Sequence, residues 1–253
     1  MKAHGSVFLL MLRHTWWKTL LVLAVMAGAE AGSFLVSLPA DLTGMALSAA
    51  LWNCRFPLAV CILAGFVMIS AFLAGATDGK GSVRPADTLD RLSVSPRWVL
   101  LWQGICNCLT LLLFWCVQVL LFFLLCALFR WRGGTVGPQG LLLACLQDRL
   151  FRFFLPLAGG YRPVLLAVLV LGVGFSAATA SAARRRGEKG AVFLAAVLGG
   201  CSPAFLNMAR DPWRGGENFE GAVLIMLFVG IGTALSLLLA LASEGENGEE
   251  AEG

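Results

Sequence analysis

Long apolar runs separated by short polar breaks dominate the chain. A hydrocarbon core of about 30 Å takes about 20 helical residues to cross. Six runs are long enough, at about 19–38, 56–76, 98–129, 163–183, 190–207 and 222–242. None alternates apolar with polar positions, so they predict helices, which satisfy their own backbone in lipid, and not barrel strands. Ahead of the first run, residues 5–18 predict an amphipathic helix lying in the interface and anchored by Trp16 and Trp17. The short apolar stretch Val7–Leu12 is followed by Arg13, His14 and Lys18 and by no small-residue cleavage site, so a signal peptide is not predicted. The expected fold is an all-α membrane protein: one transmembrane domain over 1–243, with an acidic, disordered tail at 244–253.

Composition sharpens this. Hydrophobic residues make up 58% of the 253 and charged residues 13%, where a soluble domain is about a quarter charged. Too few charges remain to coat a globule, which excludes a soluble enzyme and a disordered chain. The net charge of +4 is divided between the two ends of the spans and gives no reason to expect nucleic acid. With six spans, Lys2, Arg13, Lys18, Lys80, Arg84, Arg91, Arg97, Arg184, Arg185, Arg186 and Lys189 share one side. Arg55, Arg130, Arg132, Arg149, Arg152, Arg162, Arg210 and Arg214 share the other. The short RRRGEK turn decides the orientation, because short loops carry the positive-inside rule. Both termini are expected in the cytoplasm.

Little catalytic chemistry is available. His4 and His14 are the only histidines, which leaves no His ligand or His base at membrane depth. Six cysteines lie inside apolar runs as small hydrophobes. Cys54 and Cys145 lie near outer loops, where a bridge between them stays open. The stretch Gly75–Gly81 resembles a phosphate loop, but it has one residue too few between its glycines and no Ser or Thr after Lys80. With no nucleotide motif, the chain is not expected to be an enzyme, and no metal site is expected.

The polar residues within the spans are the candidates. Glu30 is the only acid in a span, set between Gly28 and Gly32 in a small-xxx-small pattern. It is either a substrate or proton contact or a hydrogen-bonded carboxyl at a helix contact. Gln103, Asn107, Thr110 and Gln118 fall at roughly 0°, 40°, −20° and 60° around the third span, one stripe about 80° wide. They serve either as interhelical hydrogen-bonders or as the lining of a translocation path. The length of this span suggests a projection towards the cytoplasm. Gly172, Gly174, Ser176, Gly230 and Gly232 read as close-packing positions. The outer stretch 140–157 is apolar but broken by Gln147, Asp148, Arg149 and Arg152, and predicts a helix on the outer membrane face. Gly199-Gly200 and Pro203 could end the fifth span early.

Between the second and third spans, Pro85 and Pro96 frame a helix of about two turns, with Leu89 and Leu92 on one face. It is either a solvated connector or a docking helix. The loop reads TLDRLSVSPRWVLLWQ. Together with the N-terminal helix, six spans and long third span, it resembles the permease subunits of type-2 ABC exporters of the small bacterial kind. Here Pro96 follows Ser95, where that family places a proline before the serine, and the larger outer element precedes span four. The resemblance implies a coupling helix in which Thr88, Leu89, Asp90, Arg91, Leu92, Ser93 and Val94 contact a separate ATPase subunit. ATP and Mg would sit on that partner. It also implies a second permease copy or a homologous permease, a bacterial inner-membrane location, and export of a lipid-like, peptide or amphipathic substrate. Alternatives are the capture subunit of a vitamin-type importer and an immunity or assembly protein that transports nothing.

Overall fold

The computed structural model describes residues 2–39, 42, 44–75, 96–136, 140–155, 161–185, 191–210, 225 and 229–233. Among these the chain is all-helical. Seven helices run in order: α1 (Lys2–Ser37), α2 (Leu47–Ala74), α3 (Pro96–Trp131), α4 (Gly140–Gln147), α5 (Arg149–Phe154), α6 (Tyr161–Arg185) and α7 (Ala191–Arg210). Residues 229–233 are also helical. α1, α2, α3 and α6 are long and apolar enough to cross a membrane. Their outward faces carry large apolar side chains in rows, such as Leu21 and Val25 on α1 and Leu109, Leu112, Leu120 and Leu124 on α3. Contiguous apolar surface of this kind is rare on soluble monomers and fits a multi-pass membrane protein. The predicted fifth span corresponds to α7, whose apolar stretch, Leu194–Pro203, is shorter. The predicted sixth span, the helix predicted between Pro85 and Pro96, and the expected acidic tail lie wholly or largely outside the described residues.

Several expected boundaries move. α1 is one helix from Lys2 to Ser37, so residues 5–18 and the first span are not separate elements. No proline interrupts the stretch, and Phe8, Leu10, Met11 and Leu12 pack with Val99, Trp102 and Cys106 at the start of α3. The helix stops just before Pro39, in keeping with the bias against helix in the residue preceding proline. α2 begins at Leu47, well ahead of the expected 56, and passes through Pro57. Its N-cap, Ala46, offers no side-chain bond. Instead the Leu47 N–H donates to the Thr135 carbonyl at 3.1 Å, within an isolated bridge between Ala46 and Thr135. α3 opens on Pro96, a favoured first helical position. Beyond its end, Gly133 has φ +93°, the left-handed turn that glycine supplies. α7 does not end at Pro203 but continues to Arg210.

α1 and α3 run parallel. The rings of Phe8 and Trp102 lie 6.0 Å apart near one end, Glu30 meets Gln118 in the middle, and Val36 lies beside Trp131 at the other. α2 is antiparallel to both, with Ser33 beside Cys61 and Phe66 beside Phe114. α6 packs antiparallel along α3, where Asn107 meets Gly174 and Cys108 meets Val170. This register shows that the extra length of α3 is not all at one end. It passes the end of α2 by roughly 15 Å where α6 ends in Arg184-Arg185, and the start of α6 by roughly 18 Å at the other, at 1.5 Å per residue.

Candidate functional site

Every candidate path residue is buried, yet they do not line one channel. Glu30 and Gln118 are each 1% exposed. The Gln118 Nε2 donates to Glu30 Oε1 at 2.8 Å and lies 3.0 Å from the Met26 sulfur. Its own Oε1 has no partner. Burying a carboxylate without a counter-cation is costly, and the one ion pair among the described residues is elsewhere. Gly28 and Gly32 do not form the contact around Glu30. A Cβ at either would meet nothing within 4 Å, because both sit on the opposite, outward face of α1.

The other stripe residues turn to other neighbours. Asn107 Nδ2 donates to the Gly174 carbonyl of α6 at 3.0 Å. Thr110 Oγ1 donates within α3 to the Cys106 carbonyl at 2.9 Å and borders a groove with Thr15, Trp16 and Thr19 of α1. Gln103 is buried with neither amide atom bonded, and the Ser176 hydroxyl on α6 is likewise unbonded. The stripe therefore joins α3 to α1 at one depth and to α6 at another.

Most of the expected close-packing positions are such. A Cβ at Gly174 would stand 2.6 Å from the Cys108 sulfur and 3.2 Å from its backbone nitrogen, one at Gly172 would strike Val229, and one at Gly232 would strike Val197. Ser176 is fully buried. Gly230 instead faces open space.

Of the region 140–155, expected on the outer surface, α5 packs into the bundle, while Leu142 and Leu143 of α4 stay exposed. Asp148 separates α4 from α5 and caps α5, its Oδ1 accepting from the N–H of Leu150 at 2.9 Å and of Phe151 at 3.2 Å. Its Oδ2 accepts from the Arg55 guanidinium at 3.0 Å. Arg55 was expected in a loop but is 7% exposed within α2, where its guanidinium also lies over the Trp52 ring. Phe151 packs between Phe122 and Phe123 of α3. Phe154 packs on Trp115, whose indole N–H donates to the Phe154 carbonyl at 2.8 Å. Trp115 lies roughly 24 Å along α3 from Trp131, so α5 reaches far into the bundle. Below it is an apolar cavity of about 50 Å³ between α2, α3, α5, α6 and α7.

Sequence reasoning missed the Arg55–Asp148 pair. The available signal was one basic and one acidic residue, each interrupting an apolar run on the same side. Cys54 is a free thiol, bonded to the Ala50 carbonyl, so it does not bridge to Cys145. The residues expected to dock a partner, Thr88–Val94, lie outside the described residues. Comparison of the chain with protein-family models, curated proteins and solved structures gives no match.

Proposed function

We propose that the chain is the membrane subunit of an ATP-driven transporter of the type-2 ABC exporter kind. A separate ATPase would dock on the segment around Leu89, and two permeases, identical or homologous, would flank the substrate path. The observation that carries this reading is the motif TLDRLSVSP held between two long apolar helices. α2 ends at Ala74 and α3 begins at Pro96, both at the end of the bundle where α6 terminates in Arg184-Arg185. Basic residues favour the cytoplasmic side, where an ATPase is found. A short docking segment joined directly to a long helix passes motion into the bundle, provided its contacts differ between nucleotide states. The buried polar residues Glu30, Gln103, Asn107, Thr110 and Gln118 would then be the groups whose neighbours change as the helices move.

Leu89→Asp and Leu92→Asp place a charge on the docking face. Each is expected to abolish co-purification of the ATPase and its stimulation while leaving membrane-inserted protein at normal yield. Survival of both properties in both variants rejects the docking assignment. Tight retention of a small ligand by the isolated chain would point instead to a capture subunit.

A further inference from the structure

The cavity beneath α5 is lined by apolar side chains, among them Phe66, Phe114, Trp115, Phe154 and Phe205. The one N–H of the Trp115 indole is already committed to the Phe154 carbonyl. Apolar cavities stay dry and take apolar guests. At about 50 Å³, this one has room for only a short stretch of alkyl chain while α5 is seated. Phe154 is one of its walls and belongs to α5, a helix of six residues. Withdrawal of α5 from the bundle would therefore enlarge the cavity.

One ion pair and one cap hold α5 at its start. Asp148 is divided between two tasks, with Oδ2 on Arg55 and Oδ1 on the first turn of α5. Arg55 thus receives one oxygen where a guanidinium accommodates two in a forked pair, and its Nε is buried without a partner. Arg55, Ile62 and Phe66 share one face of α2, with Arg55 about 10 Å from Ile62 along the axis. An under-used buried cation thus stands above a dry apolar cavity.

We propose that this cavity and Arg55 form a binding site for an amphiphile with an anionic head and an alkyl tail. The head pairs with Arg55 through two oxygens and displaces Asp148. α5 loosens, and the tail enters beside Trp115. The inference deepens the transporter reading by naming the class of cargo. Its binding step needs no ATPase, so it stands or falls separately from docking at Leu89.

The test uses the full chain in zwitterionic phosphatidylcholine nanodiscs, with Trp115 as the sole tryptophan and Trp52→Tyr keeping an aromatic ring against Arg55. Its fluorescence is titrated with dodecyl phosphate brominated at the chain end and with the matching brominated dodecyltrimethylammonium. The phosphate is expected to quench Trp115 saturably and to bind roughly tenfold more tightly than the cation, the effect of one charge-assisted contact. Arg55→Gln is expected to erase that preference. Asp148→Asn retains a capping side chain while removing the competitor for Arg55, so it is expected to tighten phosphate binding. The two variants move affinity in opposite directions, which loss of folding does not reproduce. Equal quenching by both head groups, persistence of the preference in Arg55→Gln, or weaker phosphate binding in Asp148→Asn each overturns the proposal.

Discussion

Glu30 is held in an apolar bundle by the amide of one neighbouring helix. Among the described residues no other helix offers the carboxyl a polar contact, so Gln118→Leu is expected to cost about 1–3 kcal/mol, read as a lowered melting temperature in detergent. Glu30→Gln keeps the shape and hydrogen-bonding capacity of the pair while removing the acid. It is expected to leave folded protein in the membrane and to reduce transport, and unimpaired transport by this variant would strip Glu30 of a functional role. These two residues were legible in the sequence because an acid and an amide stand out among leucines. Their pairing was not. Helical periodicity puts Asn107 and Gln118 about 20° apart, yet one bonds α6 and the other α1. The neighbours of α3 change along its axis, which angular position does not record.

At the scale of elements, hydropathy located the long helices well and their ends less well. α3 spans nearly the expected run. α2 starts early because Thr135, far along the chain, satisfies its first N–H, a contact no local pattern contains. The inward course of α5 was likewise hidden, since Arg55 and Asp148 each read as loop charges and are 93 residues apart. Close packing gives a sharper check on the α3–α6 contact. Gly174→Val would force a branched side chain against the Cys108 backbone and is expected to destabilise by about 1–3 kcal/mol, the usual cost of overpacking. Gly28→Ala and Gly32→Ala place a methyl in open space and a better helix former within α1, and are expected not to lower the thermal stability of the isolated subunit. Equal effects at Gly174 and Gly28 would contradict the helix register described above.

For the whole molecule, the bundle has one end bearing Arg97, Arg184 and Arg185 and another bearing Arg130, Arg132 and the Ala46–Thr135 bridge. Single cysteines at Lys80 and at Thr135 are expected to react with an impermeant maleimide from opposite sides of the membrane, Lys80 from the cytoplasm. Labelling of Lys80 from outside would remove the ATPase from reach of the chain and end the transporter reading. α1 and α3 each contain 36 residues, roughly 54 Å at 1.5 Å per residue, and lie side by side in the same direction. A hydrogen-bonded rod of that length resists stretching and kinks sharply mainly at proline, small-residue or bulge positions. α3 has no proline after its first residue. On the transporter reading proposed above, a push applied at Pro96 would arrive at Trp131 with little slack, and its first recipient would be the Ala46–Thr135 seam that fastens α2: the chain would carry its own connecting rod, running from one end of the bundle to the other.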